Sequence, residues 1–217
     1  MLQKNWLILC FLLVVIVLVN VLWKPTRVQE GIDSNINYYA FTRMNKKSAS
    51  NVKKQKSNVG SRLNIVRYTS PTPNSRSDYL QQLMLLQRIV KKMDNDNAKF
   101  LSVFFEDGFV INEPELNRKL ERIVNDLGEK EYDFLLLGGN PNMQGEMVKD
   151  GVYKINNENP FTNVYGYVIS NMNLDNMMSK IKKARGRSLL DKIHILAKQG
   201  DVVIMGLYPA LVTGLVL

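Results

Sequence analysis

The chain has 217 residues, 45% of them hydrophobic and 9% aromatic, with a formal net charge of +9. That length accommodates one domain with attachments and excludes two separate cores, since domains typically run about 100–150 residues. Cys10 is the single cysteine, which excludes an intramolecular disulfide and leaves the redox compartment unreported.

After a short tail, residues 1–5, the run Trp6–Trp23 (WLILCFLLVVIVLVNVLW) is uncharged and interrupted only by Asn20. As a helix it would span roughly 27 Å, close to the hydrocarbon thickness of a bilayer, with an indole at each interface. Residues 6–23 are therefore expected to be an uncleaved single-pass membrane anchor. A cleavable signal peptide is the rival, but Asn20–Pro25 offers no small-residue cleavage site. A buried core helix would need more apolar surroundings than the rest of the chain provides. Lys4 lies before the span and Lys24 and Arg27 after it, so the charges lean only weakly toward a cytosolic domain.

Residues 24–60 are expected to be a basic, flexible stem. From residue 24 to residue 62, Lys24, Arg27, Arg43, Lys46, Lys47, Lys53, Lys54, Lys56 and Arg62 face only Glu30 and Asp33. Ser, Asn and Lys dominate residues 45–61 with hardly any apolar periodicity. Such a segment beside a membrane can hold anionic lipid. It lacks the interleaved aromatics of a nucleic-acid site, and the charge is nearly balanced beyond residue 62, so no nucleic-acid partner is expected.

Residues 61–217 carry the pattern of one α/β domain. Leu63–Tyr68 predicts a strand, and Tyr79, Leu80, Leu83, Leu86, Ile89 and Val90 line a helix starting near Ser77. Residues 100–105 (FLSVFF) are a buried strand running into Glu106-Asp107-Gly108. Asn112, with Pro114 and Glu115 behind it, predicts the cap of a helix that carries Leu116, Leu120, Ile123, Val124 and Leu127 and stops at Gly128. Asp133–Leu137 is another buried strand, leading to Gly138-Gly139-Asn140-Pro141. Strand, helix, strand in this order predicts a parallel unit with the acidic residues at the carboxyl end of its first strand, where open α/β sheets place ligands. Strands over residues 151–155, 164–170, 201–205 and 211–217, with helices through Leu174–Ile181 and over 188–198, complete a mixed sheet flanked by helices. His194 is expected on the surface of the last helix.

The ordered set FFEDGFVINEPELNRKLERIV, YDFLLLGGNP, YGYVIS, SLLDKI and GLYPALV resembles glycosyltransferase family 25, which includes lipooligosaccharide and collagen galactosyltransferases. The likeness covers about residues 98–217 well and 63–97 loosely. It implies a nucleotide-sugar-binding, glycosyltransferase A-like fold whose Glu-Asp-Asp motif helps a divalent cation hold the donor's diphosphate. Glu106 and Asp107 match the first two positions and Gly108 stands at the third. Mn²⁺ or Mg²⁺ prefers carboxylate oxygen and neutralises charge on a departing diphosphate. By the same resemblance Asp191 would be catalytic, orienting an acceptor hydroxyl or binding metal, and Gly138, Gly139 and Tyr167 would shape the donor pocket. Read alone, Glu106-Asp107 and Gly138-Gly139 are turns after strands, and Asp191 is a helix-start residue.

The expected function is transfer of a sugar from a nucleotide sugar to a hydroxyl of a glycan or protein acceptor, by a protein held on a lipid bilayer. A type II anchor with the domain in the lumen would suit such an enzyme, although the chain contains no Asn-x-Ser/Thr sequon. Gly108, and a front section that looks short for the family, leave open a catalytically inactive relative serving as a binding or structural component. The Asn- and Lys-rich composition fits an AT-rich genome, a virus among the candidate sources.

Overall fold

Alternating inward and outward side chains along β1 (Ile36–Arg43) show how this domain is built. Ile36, Tyr38 and Ala40 enter one apolar cluster while Phe41 enters another on the opposite face, so the strand is covered on both sides. The computed structural model describes residues 36–43, 46–59, 63–68, 76–95, 101–128, 132–156, 158–170 and 174–215. The chain divides after Ser34, and every described residue belongs to the unit Asn35–Leu217. The expected anchor, residues 6–23, lies outside the described residues. Among the described residues no helix is long and apolar enough to cross a membrane.

Following β1 in chain order are α1 (Lys46–Val59), β2 (Leu63–Tyr68), α2 (Arg76–Asn95), β3 (Leu101–Phe105), β4 (Phe109–Ile111) and α3 (Leu116–Leu127). Then come β5 (Phe134–Leu136), a 3₁₀ turn at Pro141–Met143, β6 (Gln144–Lys149), β7 (Val152–Ile155) and β8 (Gly166–Ile169). The chain continues through α4 (Leu174–Lys183), α5 (Leu189–Lys198), β9 (Ile204–Leu207) and β10 (Val212–Gly214). Eight strands form one mixed sheet in the order β2-β1-β3-β8-β5-β9-β7-β6, and β10 pairs with β4 in a two-stranded annex. One face carries α2, α4 and α5 over Phe41, Phe104, Phe134 and Tyr167. The other carries α1 and α3 over Tyr38, Val103, Phe105 and Leu135. A mixed α/β sheet flanked by helices is therefore what the chain forms.

Four expectations need correction. First, residues 36–59 are not stem. β1 lies inside the sheet, parallel to β2 on one side and β3 on the other, and α1 packs on it. The polar sequence of α1 hid this, because the helix docks through hydrogen bonds as well as through Val52 and Val59. Asn51 Nδ2 donates to the Phe109 carbonyl at 2.8 Å, and Gln55 Oε1 accepts from the Ile111 amide at 3.1 Å. The domain thus reaches at least to Ile36, and its front is longer than a boundary at residue 61 implied.

Second, β3 and β5 are not neighbours: β8 is inserted between them, antiparallel to both. Third, Asn112 does not cap α3. Glu115 is the N-cap and makes no side-chain cap bond, while Asn112 bonds across to Ala210 and Thr213. Gly128 does end the helix, at φ 77°. Fourth, His194 is buried, edge-on to Phe161 at 4.9 Å between ring centroids.

Candidate functional site

The carboxyl end of β3 is where the two kinds of strand pairing meet, with parallel β1 on one side and antiparallel β8 on the other. Glu106 follows the last residue of β3, and its amide donates to the Tyr165 carbonyl at 2.9 Å, extending the β3–β8 pairing by one step. The chain then turns sharply, with the Phe109 amide donating back to the Glu106 carbonyl at 3.2 Å. Gly108 sits in this turn at φ 82°, left-handed backbone that favours glycine, although a Cβ there would meet open space. The missing third carboxylate is therefore tied to the turn that starts β4: an aspartate at this position would strain the backbone.

Both oxygens of Glu106 accept hydrogen bonds. Gln82 Nε2 on α2 donates to Oε2 at 2.9 Å, and the Tyr167 hydroxyl on β8 donates to Oε1 at 3.2 Å. Tyr167 is fully buried, stacked on Phe104 with ring centroids 5.7 Å apart. Burial, then the Glu106 charge, then the hydrogen bond hold its phenol well above the ordinary tyrosine range, so it stays protonated and donating. Asp107 differs: Ser48 Oγ, from the first turn of α1, donates to Oδ2 at 3.0 Å, while Oδ1 is buried without a hydrogen-bond partner.

Asp191 stands apart from this pair. It lies in the first turn of α5, where its amide donates to Ser188 Oγ at 3.1 Å and its Oδ2 accepts from the Arg187 amide at 2.7 Å. That is the work of a helix-start residue. Among the described residues no three His, Cys, Asp or Glu side chains gather as a cation site. A divalent cation at the acidic pair would share the Glu106 carboxylate with its hydrogen-bond donors. The Glu106 oxygens already face N–H and O–H hydrogens, and only Asp107 Oδ1 lacks a partner.

Gly138 is required for packing, since a Cβ there would lie 2.3 Å from the Val212 carbonyl oxygen. The Leu211 and Val212 amides both donate to the Leu137 carbonyl beside it, at 2.7 and 3.0 Å. A Cβ at Gly139 would lie 3.3 Å from Met143 Sδ. Both glycines line a cavity of ≈ 20 Å³, which is room for about one water and not for a sugar. A larger groove of ≈ 620 Å³ opens between α3, the β6–β7 turn and the segment from Leu207 to Leu211, with Tyr153 and Tyr208 on its walls. That volume lies within the roughly 300–1,000 Å³ of small-molecule sites. Glu106 and Asp107 do not line it.

Gln82 and Ser48 went unrecognised in the sequence. Gln82 carried one faint signal: as a polar residue beside Leu83 and Leu86 on a helix facing the core, it needed a partner. Ser48 carried none.

No family model and no curated protein matches the chain. Among solved structures, it is similar to the crystal structure of a glycosyltransferase involved in the glycosylation of the major capsid of PBCV-1. The two are 11% identical over 75% of each chain, with a TM-score of 0.43. A likeness this distant fixes neither the family nor the reaction.

Proposed function

We propose that this protein is a membrane-anchored glycosyltransferase of the family 25 type, which takes a sugar from a nucleotide sugar and passes it to an acceptor hydroxyl. The observation that carries this reading is the position of the Glu106-Asp107 pair. It stands at the carboxyl end of β3, between parallel β1 and antiparallel β8, and α/β sheets place ligands at such strand ends. In the transfer, the acceptor oxygen bonds to the anomeric carbon as the bond from that carbon to the diphosphate breaks. The diphosphate keeps the electron pair, and the hydroxyl proton passes to it or to water. A divalent cation, if one takes part, would find Asp107 Oδ1 the available carboxylate oxygen and would supply neutralisation of the diphosphate charge.

A second reading, a non-catalytic relative that keeps the fold as a binding or structural component, is favoured by Asp191. Its carboxylate is engaged with the Arg187 amide and forms no cluster with the acidic pair. Calorimetry on the full chain with a panel of UDP- and GDP-sugars, with and without Mn²⁺, separates the two. Binding with slow donor hydrolysis or transfer is the expected result. Binding without turnover would favour the second reading, and no binding to any donor would remove the transferase reading and leave a membrane-anchored interaction protein.

A further inference from the structure

Hydrogen-bond polarity divides the two acidic residues. An ionised carboxylate only accepts, so the groups facing Glu106 present hydrogens to it. Those hydrogens, from the Gln82 amide and the Tyr167 hydroxyl, tie one oxygen each to α2 and β8 and hold the carboxylate in one orientation. Neither donor moves aside easily. Tyr167 is wedged between Phe104 and Phe134, with ring centroids at 5.7 and 6.4 Å. Gln82 is carried on α2, which buries Leu83 and Leu86 beside it in the same core.

From this geometry we infer that Glu106 is a positioning residue for Asp107. Its carboxylate is the joint at which α2 and β8 are fastened to the end of β3, which sets the direction in which Asp107 leaves the strand. The joint spans three elements that are distant in sequence, and the Glu106 amide bond to Tyr165 secures the same point through the main chain. Asp107, by contrast, keeps one oxygen without a hydrogen-bond donor. The inference rests on the transferase reading only for the claim that Asp107 faces a ligand; the joint itself stands on the hydrogen bonds.

A charge swap tests it on the full chain. Gln82→Glu alone sets two carboxylates against each other and should lower the melting temperature. Adding Glu106→Gln restores an amide–carboxylate pair with the charge moved to α2, and should recover most of the lost stability. The swapped protein should also bind Mn²⁺ as the wild type does, including not at all if the wild type shows no binding. Failure of the swap to recover stability would overturn the joint. A swapped protein that is stable but no longer binds Mn²⁺, where the wild type does, would show that Glu106 is itself a ligand. Tyr167→Phe, which removes only the hydroxyl, provides a variant that keeps the packing: it should lower the melting temperature and, where the wild type binds Mn²⁺, weaken that binding. A Tyr167→Phe protein as stable as the wild type would also count against the joint. The nucleotide-sugar titration of the wild type fails or succeeds independently of these results, so failure of the transferase reading is seen separately.

Discussion

α1 and α3 cover the same face of the sheet by opposite means. α3 buries Leu116, Leu120 and Leu127 in an apolar stripe, and its Asn117 accepts from the Tyr38 hydroxyl. α1 buries only Val52 and Val59 among its apolar residues, and sends Ser48, Asn51 and Gln55 inward to meet the β3–β4 turn and the main chain of β4. A helix can thus belong to a core with little hydrophobic periodicity, provided each inward polar group meets a partner. β4 is short and needs this, since its Ile111 amide and Phe109 carbonyl bond to α1.

The contrast predicts a graded set of losses. Leu120→Ala empties a fully buried site under α3 and should cost about 2–5 kcal/mol in denaturant unfolding. Asn51→Ala and Gln55→Ala each leave a main-chain group of β4 without its partner and should cost about 1–3 kcal/mol. If both changes instead proved neutral, α1 would be held by Val52 and Val59 alone and the distinction between the helices would collapse. The smallest effect belongs to Ser48→Ala, which removes one part-buried hydrogen bond to Asp107 and should cost about 0.5–1.5 kcal/mol. An unchanged unfolding midpoint for Ser48→Ala beside a shifted one for Asn51→Ala would place the weight of the docking on β4, away from the acidic turn.

The same contrast explains what could be read in advance. β3, β5, β8, α3 and α4 announce themselves as apolar runs or stripes, because their contribution is burial of hydrocarbon, and burial leaves a periodic trace. β1 and α1 did not. INYYAFTR is followed directly by a Lys- and Ser-rich helix, and the charge of that helix looked like the stem of an anchor. The position of Glu106 and Asp107 at a strand end was legible, since it needs only the strand and the turn. Their partners were not, because Gln82, Tyr167 and Ser48 arrive through tertiary contacts that no local spacing encodes. Asp191 was legible in the plainer of its two readings, as the residue that starts a helix after Ser188.

The insertion of β8 between β3 and β5 has a consequence for how the chain is made. β3 ends at Phe105, while the strand that closes its open side begins only at Gly166. As the protein leaves the ribosome, β1, β2 and β3 emerge well before β8 is available to pair with them, because synthesis runs from the N-terminal end. Until then one side of β3 stays unpaired, an apolar strand edge that can recruit another chain. The central stitch of the sheet is thus among the last to be made, and a nascent chain stalled between β3 and β8 would be at its most prone to aggregate.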